Sequence, residues 1–274
     1  MIIAILVVVG LCLGSFVNAL VWRLHEQSKS KTPGPSELSI AHGRSMCPHC
    51  RHELAVKDLV PVLSWLGLGG KCRYCARPIS AQYPLVEAGT AVLFVASYIW
   101  WPAVFGGSQT AIFVLWLGLL TGLIALAVYD FWWLLLPNRL VYPLAVIAAV
   151  QAVIAILASS QPTTALLNII LAILVGGGIF YVLFQASKGK WIGGGDVKLG
   201  ALLGLIVVTP SRAVLFIFFG SVLGSLVSLP LLSKGRLKRT SVIPFGPFLI
   251  AGAIITVLFG GDLLNWYQQT FLML

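Results

Sequence analysis

Long apolar runs separated by short polar stretches occupy most of this chain. A transmembrane helix needs about 20 apolar residues. Eight runs approach that length, near residues 2–22, 85–104, 110–129, 140–159, 164–185, 197–210, 212–232 and 245–264. The sixth run is the shortest, and the count falls if the sixth and seventh form one re-entrant unit. The pattern predicts an all-α polytopic membrane protein with about eight transmembrane helices.

Composition agrees with this prediction. Hydrophobic residues make up 59% of the chain, and the mean hydropathy of +0.98 lies far above the range of soluble domains. The first run has no basic segment before it and no small-residue cleavage site after it. It is therefore expected to be a retained transmembrane helix rather than a signal peptide.

Basic residues fall almost entirely on one side of the predicted membrane. The chain has 18 Lys and Arg against 8 Asp and Glu, a formal charge of +10. With eight spans, only Arg212 lies on the sparse side. The crowded side carries nine basic residues between Arg23 and Arg77, and also Arg139, Lys188, Lys190, Lys198, Lys234, Arg236, Lys238 and Arg239. Positive loops are cytoplasmic, so both termini are expected outside the cytoplasm, and no nucleic-acid partner is expected.

A polar insert at residues 23–84 separates the first two runs and carries two C-x-x-C pairs. Cys47 and Cys50 form the first pair, and Cys72 and Cys75 form the second. This spacing is typical of the two knuckles of a tetrahedral zinc site. The sequence therefore predicts a cytoplasmic zinc-binding insert between the first two helices.

Disulfides are the alternative for the four cysteines, but thiols in a cytoplasmic loop stay reduced. His42, His49 and His52 are competing ligands, although four cysteines complete the shell without them. Four protein ligands leave no open position, so the zinc is expected to be structural. The predicted organisation is a first transmembrane helix at 1–22, the insert at 23–84 and a transmembrane domain at 85–274.

The chain has only eight acidic residues, so each can be considered as a functional candidate. Those with solvated or terminal positions are Glu26, Glu37, Glu53 and Asp58 in the insert, Glu87 at the start of the second run and Asp262 near the C-terminus. Asp130 and Asp196 remain, each at the predicted cytoplasmic end of an apolar run. Ionisable residues at such depths are functional candidates.

Two carboxylates at one depth suit aspartic-protease chemistry. A close pair shares a proton, so the ionised member activates water while the protonated member polarises the peptide carbonyl. Gly193, Gly194 and Gly195 before Asp196 leave room for a substrate backbone. The alternative is structural, with Asp196 capping a helix and Asp130 reaching the interface or pairing with Arg139. Lys198 is assigned no catalytic role.

With these residues in place, the sequence resembles the type IV prepilin leader peptidases, membrane aspartic proteases that share a G-x-G-D motif with presenilin-type and preflagellin peptidases. The matching segments are "GSFVNALVWRL" (14–24), the cysteine segment 44–87, Asp130 with "LPN" (136–138), "GGGDVKLGALLG" (193–204) and "IPFGPFLIAGA" (243–253). The four-cysteine insert followed by two aspartates in this order makes the resemblance specific.

The resemblance implies a bifunctional enzyme of the bacterial inner membrane. It implies cleavage of the leader of type IV prepilins or type II secretion pseudopilins at the cytoplasmic face. It also implies N-methylation of the new N-terminal residue, usually phenylalanine, with S-adenosylmethionine. Asp130 and Asp196 correspond to the protease aspartates, and the four cysteines correspond to the zinc ligands. Asn138 stands where many relatives have an acidic residue, which affects local packing at most.

Three other functions stay open at the sequence level. They are a presenilin-like or signal-peptide-type protease, a transporter in which the two aspartates bind a cation or relay protons, and a membrane scaffold whose zinc knuckle docks a partner. No glycine-rich nucleotide fingerprint of the soluble kind is found, so no residue is assigned to the S-adenosylmethionine site. Membrane lipid is the one further expected partner, and the sequence assigns no oligomeric state.

Overall fold

The computed structural model describes residues 1–29, 38–40, 42–235 and 243–272. Glu37 and the basic residues Arg236, Lys238 and Arg239 lie outside the described residues. The chain divides into two compact units, Met1–Ile99 and Trp100–Leu274.

The described part of the chain is helical, with isolated β-bridges in place of strands. Its α-helices are α1 (Ile2–Lys29), α2 (Leu63–Gly67), α3 (Gln82–Ile99), α4 (Gly107–Trp133), α5 (Asn138–Leu157), α6 (Pro162–Ser187), α7 (Gly194–Val207), α8 (Pro210–Ser233) and α9 (Gly246–Tyr267). Every predicted apolar run coincides with one of these helices, so the all-α prediction is confirmed.

Six helices in the described ranges are long and apolar enough to cross a membrane: α1, α4, α5, α6, α8 and α9. Two of the eight predicted spans do not meet that standard. α7 has 14 residues and is therefore roughly 21 Å long, short of a hydrocarbon core of about 30 Å. α3 has 18 residues and carries Glu87 near its start, so its uninterrupted apolar part is shorter than the helix.

Within the N-terminal unit, α1 packs directly on α3 because small residues let the two backbones meet. A Cβ at Gly10 would lie 2.6 Å from the Cα of Ala91, and one at Gly14 would lie 2.6 Å from the Cα of Glu87. The insert connects these two helices through a short 3₁₀ turn, α2 and two isolated bridges, Met46 with Glu53 and Lys71 with Pro78.

Within the C-terminal unit, α6 and α7 form the closest helix pair. Gly176 and Gly200 face each other, and a Cβ on either would collide with the carbonyl oxygen of the other. The centre of this unit is apolar, and its fully buried side chains include Trp116, Phe216, Leu123, Leu203 and Leu249.

Sharp helix ends locate the polar segments of the C-terminal unit. Leu134 ends α4 and Lys188 ends α6, each with a positive φ, the left-handed conformation that closes many helices. The backbone N–H of Leu134 donates to the carbonyl oxygen of Asp130 at 2.8 Å. Asp130 therefore lies in the last turn of α4, and Asp196 lies in the first turn of α7.

Candidate active site

Asp130 is a buried carboxylate whose orientation is set from another helix. Its residue is 6% exposed, and its Oδ2 accepts a hydrogen bond of 3.0 Å from the backbone N–H of Gly246. Gly246 is the first residue of α9, where a backbone N–H has no partner within its own helix. The start of α9 thus holds the carboxylate at the end of α4.

Asp196 closes the first turn of α7 by reciprocal hydrogen bonds. Its Oδ2 accepts the backbone N–H of Gly193 at 3.3 Å, and its own backbone N–H donates to the Gly193 carbonyl at 3.1 Å. The helix-capping alternative therefore describes a real contact. A carboxylate has about four acceptor positions, so this contact leaves capacity for a further ligand.

Two contacts connect the chain segments that carry the aspartates. Leu136, just after α4, packs against Gly195, where a Cβ would lie 3.2 Å from Leu136 Cδ1. Lys198 Nζ donates to Asn138 Oδ1 at 2.9 Å, which connects α7 to the first residue of α5. The structure therefore packs together the two chain segments that carry the predicted catalytic residues.

The three glycines before Asp196 differ in their surroundings. A Cβ at Gly193 or Gly194 would have no neighbour closer than 3.7 Å, whereas one at Gly195 would press against Leu136. The space expected for a substrate backbone is therefore open at the first two glycines. At the third glycine, the chain's own Leu136 fills that space.

Gly246 contacts a predicted catalytic carboxylate, and no role was assigned to it from the sequence. It belongs to "IPFGPFLIAGA", which contributed to the resemblance but received no role. A Cβ at Gly246 would lie 2.7 Å from Asp130 Oδ2, so only glycine fits against the carboxylate. A glycine next to a proline at the start of an apolar run was the available signal.

The four predicted metal ligands lie together in the N-terminal unit. One Sγ atom from each of Cys47, Cys50, Cys72 and Cys75 lies within 4.8 Å of the others, and Cys47 Sγ is 4.0 Å from Cys75 Sγ. Among the described residues, these four cysteines are the group with metal-ligand geometry, and no histidine joins them. His52 instead stacks on Tyr74, with ring centroids 3.7 Å apart.

The two cysteine pairs adopt the same backbone conformation. In the first, the Arg51 N–H donates to the Cys47 carbonyl at 2.9 Å, and in the second, the Ala76 N–H donates to the Cys72 carbonyl at 2.9 Å. Arg51 and Ala76 each have φ of 56°, an uncommon conformation for residues with a side chain. The repeated knuckle points the thiols of both turns at one centre.

The surroundings of the two knuckles also shift the pKa values of the thiols. Burial by itself raises the pKa of the Cys72 thiol, but hydrogen bonds from the backbone N–H groups of Cys75 and Tyr74, together with the neighbouring thiols, outweigh it and lower the pKa to about 7. Burial raises the pKa of the Cys47 thiol to about 11.

Two family models match the chain, one over the part that contains the cysteines and one over the part that contains the aspartates. Residues 8–101, which include the four cysteines, match the bacterial peptidase A24 N-terminal domain. Residues 117–229, which include both aspartates, match the type IV leader peptidase family.

Similar whole proteins span almost the full chain. A prepilin leader peptidase/N-methyltransferase of Bacillus subtilis is 33% identical and covers 97% of each chain. The protein of the same name from Burkholderia pseudomallei is 33% identical over 94% of this chain and 85% of its own length. A type 4 prepilin-like proteins leader peptide-processing enzyme of Escherichia coli is 34% identical over 90% of each.

No solved structure matches the chain. The two matched domains and the near full-length similarity carry the assignment instead, and they agree with the paired aspartates and the cysteine knuckles described above. The chain therefore belongs to the type IV leader peptidase family, among the prepilin leader peptidase/N-methyltransferases.

Proposed function

We propose that this protein is a bifunctional enzyme of the bacterial inner membrane. As a membrane aspartic endopeptidase, it cleaves the leader of type IV prepilins or type II secretion pseudopilins at the cytoplasmic face. As an N-methyltransferase, it then methylates the new N-terminal residue with S-adenosylmethionine. The proposal extends to this chain the activities that its relatives' names state.

The observation that carries the peptidase proposal is that the chain segments bearing Asp130 and Asp196 pack against each other. Asp130 is oriented by Gly246 and Asp196 by Gly193. Each carboxylate uses one oxygen for a backbone N–H and keeps acceptor positions for water or substrate. The structural alternatives, a helix cap at Asp196 and an interface contact at Asp130, do not require these two segments to pack together.

The chemistry follows from two carboxylates that hold one proton between them. The ionised carboxylate takes a proton from a water molecule as the water oxygen attacks the scissile carbonyl carbon. The protonated carboxylate donates a hydrogen bond to the carbonyl oxygen as negative charge develops there. The tetrahedral intermediate then expels the amine, which takes a proton from the acid on leaving.

The position of the site suits a substrate that stays in the membrane. Asp130 ends a helix capable of spanning the bilayer, and the basic residues of the described loops favour the cytoplasmic side for that end. A prepilin anchored by an apolar N-terminal helix presents its scissile bond at this boundary without leaving the lipid.

The cysteine cluster supports a structural zinc in the insert. Four thiols within 4.8 Å of one another match the tetrahedral sulfur shell that zinc prefers, and four protein ligands leave no position for water. Zinc bound there stabilises a segment with little hydrophobic core of its own. The division into a first helix at 1–22, an insert at 23–84 and a peptidase domain at 85–274 stays a prediction.

Single substitutions of the two aspartates test the peptidase proposal. Asp130→Asn and Asp196→Asn should each abolish leader cleavage by the purified enzyme in detergent, because an amide can neither accept the water proton nor share one with its partner. Cleavage of a prepilin substrate is followed by mass spectrometry, and the melting temperature reports folding.

Asp262→Asn is the matched control, since Asp262 is exposed and lies far along α9 from Gly246. It should cleave at the wild-type rate. Full cleavage by either Asp130→Asn or Asp196→Asn would exclude the paired mechanism. Aspartate-dependent proton or solute flux in liposomes, without cleavage, would support a transporter instead.

A further inference from the structure

A cavity lies inside the N-terminal unit, at the ends of α1 and α3 that adjoin the insert. Its volume is about 120 Å³, and its wall is mostly apolar. Ala19 and Trp22 of α1, Trp65 of α2 and Tyr83 of α3 contribute to that wall. The protease chemistry uses none of these residues.

Two carboxylates line this cavity, those of Glu87 and Asp58. Glu87 is 7% exposed, and its backbone is held against α1 at Gly14. Its Oε2 accepts the backbone N–H of Val62 at 2.7 Å, and Ser15 also donates to the carboxylate. Two of about four acceptor positions stay available.

The backbone that binds Glu87 is strained. Val62 has φ of 62°, a conformation that a β-branched residue adopts only when its surroundings impose it. Such strain costs of the order of 1–3 kcal/mol and concentrates at ligand sites. The insert therefore holds the carboxylate in a fixed orientation at the cavity wall.

No described residue supplies a cation to Glu87. The other acid at the wall, Asp58, is already paired with Arg73 at 2.7 Å. Arg23 also lines the cavity, but its guanidinium donates to the carbonyl groups of residues 39, 40 and 43. A buried carboxylate without a cationic partner is costly, and a ligand cation would remove that cost.

The size of the cavity selects among cationic ligands. A cavity of about 150 Å³ lined by apolar side chains binds benzene, so 120 Å³ suits one ring or one branched aliphatic side chain. S-adenosylmethionine, with its purine, ribose and amino-acid parts, is too large to be enclosed there. An N-terminal residue fits, since it combines one apolar side chain with a positively charged α-amino group.

We infer that this cavity is the acceptor subsite for methylation. The apolar side chain of the newly exposed N-terminal residue fills the space beside Ala19, and its α-ammonium binds Glu87. This inference rests on the proposed N-methyltransferase function and names the residues that receive its acceptor.

Glu87 then contributes to the transfer as a proton acceptor. The α-ammonium gives one proton to the carboxylate, which frees the nitrogen lone pair. The amine nitrogen then forms a bond to the methyl carbon of S-adenosylmethionine. The bond between that carbon and the sulfonium sulfur breaks, and its electron pair stays on sulfur. The products are the N-methylated chain and S-adenosylhomocysteine, and the proton on Glu87 leaves to solvent.

A purely structural role for Glu87, as an anchor for the insert through Val62, is the competing explanation. Glu87→Gln separates the two because the amide oxygen still accepts the Val62 N–H while the negative charge is lost. Glu26→Gln is the matched control, since it removes one partly exposed acidic charge near the end of α1, and Glu26 does not line the cavity.

The test measures binding first, with the zinc-loaded full-length protein in detergent. The probe is an apolar peptide of about ten residues that begins with phenylalanine and has a free α-amine, compared with its N-acetylated form. Equilibrium dialysis should show about tenfold or greater preference for the free amine. Glu87→Gln should lose that preference, Glu26→Gln should keep it, and both should bind S-adenosylmethionine as the wild type does.

Ala19→Leu tests the apolar part of the subsite by filling it. This variant should bind the free-amine peptide about tenfold more weakly and should keep leader cleavage and S-adenosylmethionine binding. Equal binding of both peptides to the wild type would overturn the inference, as would a Glu87→Gln variant that keeps the preference. Loss of S-adenosylmethionine binding in either variant would also overturn it, because the cavity would then hold the donor.

Methylation assays distinguish failure of the inference from failure of the proposed function. Glu87→Gln should cleave the prepilin but methylate the product at least tenfold more slowly. If the wild type methylates no cleaved substrate at all, the proposed transferase function fails. If the wild type and Glu87→Gln methylate equally well, only the acceptor subsite is wrong.

Discussion

Gly246 is the residue near Asp130 whose lack of a side chain has the clearest structural reason. Its N–H binds Asp130, and the same approach leaves no space for a Cβ. The motif that contains Gly246 is visible in the sequence, but its contact is not, because 116 residues separate the donor from the acceptor. The scarcity of acidic residues and its position at the end of an apolar run identified Asp130, and only the packing of α9 on α4 identified what orients it.

Gly246→Ala should therefore impair cleavage without unfolding the protein. The added Cβ displaces the Asp130 carboxylate, and misplacement of a catalytic group by about 1 Å can cost a factor of about 100 in rate. Gly178→Ala is the control, since Gly178 has open space around it on α6. Initial cleavage rates and melting temperatures of both variants check the prediction, which fails if Gly246→Ala cleaves at the wild-type rate.

At the scale of elements, the two cysteine knuckles are the part that sequence spacing predicts best. A C-x-x-C turn is local, so each pair is positioned by its own backbone, and the repeated positive φ at Arg51 and Ala76 shows the same turn twice. The helices are also local in origin, because each follows one apolar run. The short α7 shows the limit of this rule, since its length depends on the turn at Val208.

The purified protein should contain about one zinc per chain when it is prepared without oxygen. Cys72→Ser should lose the metal and should lose methylation more readily than cleavage, because the insert and the aspartates belong to different units. Cys12→Ser is the control, since Cys12 lies in α1 outside the cluster. Elemental analysis with parallel assays checks this, and two disulfides without metal would contradict it.

At the scale of the whole molecule, the unequal distribution of basic residues predicts the orientation in the membrane. The number of spans depends on α3 and α7, the two helices that do not meet the standard of a full span. If both cross the bilayer, or if neither does, the number is even and the two chain ends lie on the same side. If only one of them crosses, the ends lie on opposite sides.

A reporter joined to the C-terminus of the full chain decides between these arrangements. We expect alkaline phosphatase in this position to be active and green fluorescent protein to be dark, because both report an end outside the cytoplasm. The same reporters at the N-terminus should give the same result. Opposite results at the two ends would mean that only one of α3 and α7 crosses the membrane, while the peptidase proposal would remain untouched.

Sequence alone determined the helical membrane class, the cysteine cluster and the two candidate aspartates. Each of these depends on hydrophobicity along the chain or on spacing within a single turn, and both are local properties. Tertiary structure alone decided that Gly246 orients Asp130 and that Leu136 packs against Gly195. It also decided that Glu87 faces a cavity beneath a strained Val62. These contacts join residues distant in sequence, and their geometry depends on how closely helices pack, which no local pattern specifies.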